Sequence, residues 1–220
     1  MKSILLISLL TTLSLSFKGI DVSTYQGDIN WSAVKNSGIK FAIIRAGYGK
    51  EVSQKDDKFD RNYANAKAVG MPIGVYWYSY AKSVEAAEQE AKTCLEIIKG
   101  KQFEWPIYYD IEESSILGKG KNFVSSIAKK FCRYLESKKY FCGIYASANP
   151  LNNLFDDECK TQFVIWVAHY NVDHPGYHGN WGVWQYTSKG SVSGIEGNVD
   201  MDEAVIDYEP IIKNAHLNGW

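Results

Sequence analysis

Two carboxylates separated by one residue end a short, mostly apolar segment, Trp105-Pro106-Ile107-Tyr108-Tyr109-Asp110-Ile111-Glu112. On a β-strand, residues two apart point to the same face, so Asp110 and Glu112 would lie side by side. Neighbouring carboxylates repel each other, and shielding from water raises a carboxyl pKa. Such a pair suits glycoside hydrolysis, in which one carboxylic acid protonates the leaving oxygen and a carboxylate stabilises the oxocarbenium-like transition state. Glu112 lies one position further along the same strand face and has the longer side chain, so we expect it to be the acid and Asp110 to stay charged. An acidic loop start is the alternative interpretation.

The segments around this pair alternate between short apolar runs and amphipathic stretches. Phe41-Ala42-Ile43-Ile44 is continuous and apolar, which is typical of a strand covered on both faces. Residues 84–99 are predicted to form a long helix that begins after Ser83 and ends at Gly100. The predicted strands are 18–22, 41–44, 73–78, 105–111, 141–145, 163–168 and 181–186. Repeated alternation of strand and helix favours a parallel sheet.

Seven or eight strands in one chain favour closure into a barrel. Residues 17–220 are fewer than the roughly 250 residues typical of a complete eight-fold barrel, and the predicted helices become sparse after residue 150. We therefore expect an α/β fold, a TIM-like irregular barrel that is regular in its first half and nearly helix-free in its second. The sequence contains neither a linker nor a repeat, so residues 17–220 are predicted to be a single catalytic domain.

Functional side chains of such barrels lie where the strands end and the following loops begin. At these positions the sequence places acids and aromatic residues, and bases are nearly absent. They are Asp21, Tyr78, Tyr80, Asp110, Glu112, Tyr145, Trp184, Gln185, Tyr186 and Asp200. Aromatic rings stack on sugar faces and carboxylates bind hydroxyl groups. This composition indicates a carbohydrate ligand.

Segments along nearly the whole chain, from residue 19 to about 206, resemble glycoside hydrolase family 25, the lysozymes also called Chalaropsis-type muramidases. The matching segments are Gly19-Ile20-Asp21-Val22-Ser23-Thr24-Tyr25-Gln26-Gly27, Ile29-Asn30-Trp31, Phe41-Ala42-Ile43-Ile44-Arg45-Ala46-Gly47, Gly74-Val75-Tyr76-Trp77-Tyr78-Ser79-Tyr80-Ala81, Tyr109-Asp110-Ile111-Glu112, Gly143-Ile144-Tyr145, Trp166-Val167-Ala168-His169-Tyr170, Trp184-Gln185-Tyr186 and Asn198-Val199-Asp200. Matches in this order across the chain are more specific than any single motif.

This resemblance implies a barrel of eight strands and about five helices, (β/α)5β3, and hydrolysis of the β-1,4 bond between N-acetylmuramic acid and N-acetylglucosamine in bacterial peptidoglycan. By position, Glu112 would be the general acid. Asp110 would be the nucleophile, or would orient the acetamido group of the substrate to attack in its place. Asp21 and Asp200 match two further acids of the family site, which order water and tune Glu112.

The resemblance also implies sugar contacts for Tyr78 and Tyr145. Strand ends and matched segments together give the predicted substrate-binding residues Tyr78, Tyr80, Tyr145, Tyr170, Trp184 and Gln185. One departure is Met201-Asp202, where the family often has Leu-Asn, and this leaves the geometry of a local loop open. Neither a metal nor an organic cofactor is expected.

Residues 1–16 have the three parts of a secretory signal peptide: Lys2, an apolar run from Ile4 to Leu10, and small residues before position 17. A buried first helix is the alternative. The apolar run is shorter than the roughly 20 residues that span a bilayer. We therefore expect a product that is secreted or lumenal, either extracellular or in a lysosome- or phagosome-like compartment, and not held in a membrane.

Four cysteines in a secreted chain suggest two disulfides, and we expect Cys94–Cys132 and Cys142–Cys159. Their spacing lacks a Cys-x-x-Cys pair, which argues against a zinc site. Asn30-Trp31-Ser32 is an acceptor pattern for N-glycosylation, and a helix N-cap explains the same residues equally well.

Charge excludes one class of protein and leaves others open. The chain has 24 Lys plus Arg against 25 Asp plus Glu, without a basic stripe, which argues against a nucleic-acid partner. Two rivals remain: a non-catalytic secreted glycan-binding barrel, and a chitinase-type hydrolase, which also uses an Asp-x-Glu strand end. We expect a monomer that acts on bacterial peptidoglycan.

Overall fold

A computed structural model describes residues 16–220. Residues 1–15, which hold nearly all of the predicted signal peptide, lie outside the described residues. The strands are β1 Phe17–Val22, β2 Phe41–Tyr48, β3 Ile73–Tyr78, β4 Ile107–Asp110, β5 Cys142–Ser147, β6 Val164–Ala168, β7 Val183–Gly190 and β8 Val199–Ala204. The helices are α1 Trp31–Asn36, α2 Phe59–Ala68, α3 Val84–Ile98, α4 Ser114–Leu117, α5 Lys121–Glu136, α6 Ala148–Asn153, α7 Asp157–Gln162 and α8 Tyr208–Asn214.

Within residues 16–220, eight strands close into one barrel in sequence order, with β8 next to β1. Neighbouring strands from β1 to β7 are parallel, whereas β8 runs antiparallel to both β7 and β1. Helices follow each of the first five strands, and β6, β7 and β8 succeed one another without an intervening α-helix. The predicted TIM-like irregular barrel and its (β/α)5β3 order are confirmed.

Strand residues alternate between the barrel interior and the surrounding helices. Rings fill the interior, where Phe41 stacks on Trp105 with centroids 3.8 Å apart. Small residues make room for these rings: a Cβ atom on Gly19 would lie 2.2 Å from Phe41, and one on Gly143 would lie 2.7 Å from Tyr108. The second face of the strands packs against the helices in a larger apolar layer. The interior is therefore a packed core, and free space remains at its ends.

Three details of the elements differ from the sequence expectations. Eight α-helices occur in residues 16–220, not about five, because two connections hold a second helix and α8 follows the last strand. The predicted strands do not include β8, whose sequence Val-Asp-Met-Asp-Glu-Ala carries three acids. Met201-Asp202 therefore lies within a strand, not in a loop.

The four cysteines are free thiols, so the predicted Cys94–Cys132 and Cys142–Cys159 disulfides are wrong. All four side chains are buried between the barrel and its helices. Cys132 and Cys142 donate to the same carbonyl oxygen, that of Gly143, over 3.5 and 3.8 Å, so Cys142 neighbours Cys132 instead of Cys159.

Two further predictions concern exposed features. Asn30 is the N-cap of α1, and its side-chain oxygen accepts a hydrogen bond from the Ala33 amide at 3.1 Å. The capping explanation is thus confirmed, and glycosylation stays a prediction. Across residues 16–220, every helix is too short or too polar to cross a membrane.

Candidate active site

A cavity of about 600 Å³ opens at the end of the barrel where the parallel strands finish. Nine of the ten predicted site residues line it: Asp21, Tyr78, Tyr80, Asp110, Glu112, Tyr145, Tyr170, Gln185 and Asp200. The sheet register explains part of this gathering, because Tyr78, Asp110 and Tyr145 are direct partners on β3, β4 and β5. Asp21 and Asp200 are likewise partners on β1 and β8.

Trp184 is the predicted site residue that lies elsewhere. It precedes Gln185 on β7, and adjacent strand residues point to opposite faces. Trp184 therefore packs in the layer outside the barrel, where its Nε1 donates to the His169 carbonyl oxygen at 2.8 Å. Its position does not support the predicted contact with substrate.

Asp110 and Glu112 line the same cavity at different depths. Asp110 is buried, and its Oδ1 has no hydrogen-bond partner among the described residues. Glu112 lies at the cavity mouth and is more exposed than Asp110. Burial, and secondly the charge of Glu112, raises the pKa of Asp110 well above its usual range. Partial burial, and then the charges of Glu113 and Asp200, raises the pKa of Glu112.

Arg45 is the cation that opposes the rise in the Asp110 pKa. It is the third inward residue of β2, after Phe41 and Ile43. Its Nε donates to Asp56 Oδ2 at 2.7 Å. Burial disfavours the charged form of Asp110, and Arg45 favours it. The expectation that Asp110 remains charged therefore depends on Arg45.

A hydrogen-bond chain connects four of the lining residues across the barrel. Gln185 Nε2 donates to Asp21 Oδ2 at 2.6 Å. Gln185 Oε1 accepts from the hydroxyls of Tyr145 at 2.8 Å and Tyr170 at 2.5 Å. This amide orients one carboxylate and two phenols at once.

A fifth acid, Asp202, lies beneath the cavity. It is fully buried, accepts a hydrogen bond from Trp166 Nε1 at 2.8 Å, and its Oδ2 has no partner among the described residues. Burial raises the pKa of Asp21 well above its usual range, and the charges of Asp202 and then Asp200 add to this effect. Burial likewise raises the pKa values of Asp200 and Asp202.

Aromatic residues form the rim. Tyr78 donates its hydroxyl hydrogen to Glu113 Oε1 at 2.7 Å. Tyr80 is about half exposed and packs near Tyr78, with ring centroids 5.0 Å apart. Tyr25 is 82 % exposed on the short helical turn after β1. These rings offer flat faces to a ligand in the cavity.

The sequence reasoning missed several residues of this site. Asp202 was detectable, because it alternates with Asp200 on one strand face. Arg45 was detectable as well, because it follows the inward-facing Phe41 and Ile43 at the same spacing of two residues. Glu113 and Asp56 lie in connections, and no periodic signal places a loop side chain.

A closed barrel with acids and aromatic rings gathered at the ends of its parallel strands is the architecture of a glycoside hydrolase. Residues 20–195 match the family described as Glycosyl hydrolases family 25, and the chain belongs to this family. Asp200 lies just beyond the matched range.

Individual relatives agree with this assignment. The autolytic lysozyme of Clostridium acetobutylicum is 31 % identical over 186 residues, which cover 84 % of this chain and 55 % of that protein. The chain thus spans little more than half of that relative's length. The crystal structure of a bacterial lysozyme from Streptomyces coelicolor aligns with a TM-score of 0.76 at 29 % identity, covering 90 % of this chain and 96 % of that one.

A third relative is the modular autolysin LytC from Streptococcus pneumoniae, solved in complex with a synthetic peptidoglycan ligand. It aligns with a TM-score of 0.74 at 29 % identity, covering 86 % of this chain and 46 % of that one.

Proposed function

We propose that this protein is a lysozyme, an N-acetylmuramidase that hydrolyses the β-1,4 bond between N-acetylmuramic acid and N-acetylglucosamine in bacterial peptidoglycan. The observation that carries the proposal is the pairing of Asp110 and Glu112 in one cavity, at two depths and both with raised pKa values. Family membership and the lysozymes among its relatives support the substrate.

Glu112 is the proposed general acid. Its raised pKa favours the protonated form, and its place at the mouth lets it reach the bridging oxygen of a glycan lying across the cavity. It donates its proton to that oxygen as the C1–O bond breaks. As a carboxylate it then takes a proton from the water that attacks C1, which restores the acid.

Asp110 has two candidate roles in this scheme. As a nucleophile, its carboxylate oxygen bonds to C1 and water later displaces it. As an orienting group, it accepts a hydrogen bond from the acetamido N–H, whose carbonyl oxygen attacks C1 instead. The unpartnered Oδ1 favours the second role, because a buried acceptor without a partner suits a donor brought by the ligand. A thiazoline mimic of the acetamido intermediate that inhibits strongly would support this role, and a trapped glycosyl–Asp110 adduct would support the first.

Asp21 and Asp200 are the acids proposed to order water and to adjust the pKa of Glu112. Their carboxyl groups line the same cavity, and Asp200 raises the pKa of Glu112. The aromatic residues Tyr78, Tyr80, Tyr145 and Tyr170 are the proposed sugar contacts, with Gln185 orienting two of them.

The rival functions make different predictions for one experiment. Purified protein is incubated with bacterial peptidoglycan, and the products are identified by mass spectrometry. A muramidase releases muropeptides with N-acetylmuramic acid at the new reducing end. A glycan-binding barrel without turnover releases none, and a chitinase-type hydrolase acts on chitin oligomers in preference.

Location follows as part of the proposal. The predicted signal peptide and the cell-wall substrate together suggest action outside the cytoplasm, at or near a cell wall. The comparisons give no support to a lysosomal or phagosomal compartment. A monomer without metal or organic cofactor remains our prediction.

A further inference from the structure

Arg45 is a cation placed in a cavity whose other charged walls are mainly acids. It lines the cavity together with Asp21, Asp110 and Glu112. Its side chain is 12 % exposed, so the guanidinium is largely removed from bulk water. A charge in this setting acts more strongly on a ligand than a charge at the open surface.

The guanidinium is held in place by a buried carboxylate. Asp56, with a fully buried side chain, accepts from Arg45 Nε at 2.7 Å. The same carboxylate accepts from the backbone amides of Thr24 at 3.0 Å and Lys58 at 2.9 Å. Because two backbone amides hold Asp56 in place, Asp56 in turn fixes Arg45.

Two aromatic rings also lie against the guanidinium. The Arg45 guanidinium lies 5.0 Å from the ring centroid of Tyr25 and 5.9 Å from that of Tyr48. Such stacking leaves the edge of the guanidinium free to donate. Among the described residues, none accepts a hydrogen bond from its two terminal amino groups, and neither group is completely enclosed.

Lys55, the second basic residue of the lining, is already engaged. Its Nζ lies 2.7 Å from Asp60 Oδ2. Arg45 and Lys55 are both paired with a carboxylate, but the Arg45 pair uses only Nε and leaves two amino groups for a ligand, whereas Asp60 engages the single ammonium group of Lys55. A fixed guanidinium with two free amino groups matches the geometry of a carboxylate.

We propose that Arg45 binds a carboxylate of the glycan and thereby selects muramic acid-containing chains over neutral ones. This inference rests on the proposed function and deepens it. The substrate carries such a group in one of two forms: the lactyl acid of N-acetylmuramic acid where no peptide is attached, or the carboxylates of a stem peptide, whose attachment converts the lactyl acid into an amide. Chitin carries neither. Without Arg45, the acids of the cavity would repel an anionic substrate.

The test is a binding measurement on a Glu112→Gln background, so that turnover does not consume the ligand. Calorimetry compares three ligands: chitotetraose, a tetrasaccharide of alternating N-acetylglucosamine and N-acetylmuramic acid, and the same tetrasaccharide with an alanyl-isoglutamate dipeptide on each lactyl group. We expect added Arg45→Gln to weaken binding of a carboxylate-bearing ligand by about 10- to 100-fold, the usual worth of a hydrogen bond to a charged group. Chitotetraose, which has no carboxylate, should lose much less affinity than the carboxylate-bearing ligand.

The comparison of the three ligands identifies which carboxylate Arg45 binds. A loss with the unsubstituted tetrasaccharide assigns the lactyl acid, and a loss confined to the dipeptide form assigns the stem peptide. Arg61→Gln is the matched control, since it removes the same charge from an exposed side chain that pairs with Asp28 outside the cavity. Arg61→Gln should leave all three affinities unchanged.

Arg45→Gln removes a donor from the buried Asp56 and could unfold the protein. The double variant Arg45→Gln/Asp56→Asn removes both charges together and provides a second route to the same comparison. Equal weakening of all three ligands, or no weakening of any by either variant, would overturn the proposal. Failure of the proposed function is distinct, because the parent enzyme would then release no reducing ends from peptidoglycan.

Discussion

Gln185 Nε2 and Asp21 Oδ2 lie 2.6 Å apart, although the two residues are separated by 164 positions in the sequence. The barrel brings β7 and β1 to either side of β8, so one amide reaches the buried acid of β1. Its hydrogen bond lowers the pKa of Asp21, against burial and the charges of Asp202 and Asp200, which raise it. Gln185 therefore favours the ionised form of Asp21.

We expect Gln185→Leu to shift the acidic limb of the rate profile to higher pH. The Asp21 pKa rises when the donor is lost, so a higher pH is needed to ionise this acid. The hydroxyls of Tyr145 and Tyr170 also lose their common acceptor, so these proposed sugar contacts lose their orientation. We expect kcat/KM to fall by about tenfold, which corresponds to the loss of about one hydrogen bond to the substrate. The measurement is kcat/KM against pH on soluble glycan fragments. The control is Gln162→Leu on the exposed end of α7, and an unmoved acidic limb would contradict this role of Gln185.

We expect Glu113 to raise the upper pH limit of activity. Its charge is the second cause, after burial, of the raised pKa of Glu112. Glu113→Gln removes that charge and retains an oxygen for the Tyr78 hydroxyl. The pKa of Glu112 should fall, so the protonated acid is lost at lower pH and the basic limb moves down.

The complementary variant is Tyr78→Phe, which removes the hydrogen bond and leaves the charge of Glu113. It should change KM without moving the basic limb in the direction seen for Glu113→Gln. Identical shifts in both variants would show that Tyr78, not the charge of Glu113, controls the limb.

We expect Asp202 to reduce stability at neutral pH. Burial raises its pKa well above the usual 3.8, so the folded protein holds a proton that the unfolded chain releases. The contribution of protonated Asp202 to the free energy of folding is therefore complete below pH 3.8. It is lost as the pH rises towards the pKa that Asp202 has in the folded protein.

Asp202→Asn should raise the melting temperature at pH 7, by about 2–4 °C for each kcal/mol gained, and change it little at pH 3.5. The amide keeps an acceptor for Trp166 Nε1. Thermal unfolding followed by circular dichroism at both pH values is the measurement. A gain of equal size at both pH values would mean that titration of Asp202 is not the cause.

The thiols should be unreactive in the folded protein. Burial raises the pKa values of Cys94, Cys132 and Cys142, and burial with the Asp156 contact raises that of Cys159 to about 12. Ellman's reagent should therefore titrate none of them natively and all four after denaturation without reductant. Fewer than four reactive thiols in the denatured protein would reveal a disulfide.

The barrel was predictable because its signal is local. Each apolar run such as Phe41–Ile44 identifies a strand by itself, and the alternation of strands and helices then fixes the parallel order. β8 was not predicted because its inward acids, Asp200 and Asp202, interrupt the apolar pattern that identifies a strand.

Site residues were predictable where they lie on a strand, and were less predictable where they lie in a loop. Asp21 and Asp110 end strands, whereas Glu113 and Asp56 depend on loop conformations that no periodicity encodes. Trp184 shows a further limit, because two adjacent strand residues cannot both face the cavity and the sequence does not say which does. The cysteine pairs failed because disulfide formation depends on three-dimensional distance, and buried thiols fill core space equally well.

The most direct test of the assignment is the release of reducing ends from purified peptidoglycan by the Glu112→Gln variant. Loss of the general acid should lower kcat by about 10²- to 10⁴-fold, while the circular dichroism spectrum stays that of the parent. Glu196→Gln, an exposed acid on the connection before β8, is the matched control and should act like the parent. A folded Glu112→Gln protein that released reducing ends at the parental rate would contradict the assignment of Glu112 as the acid.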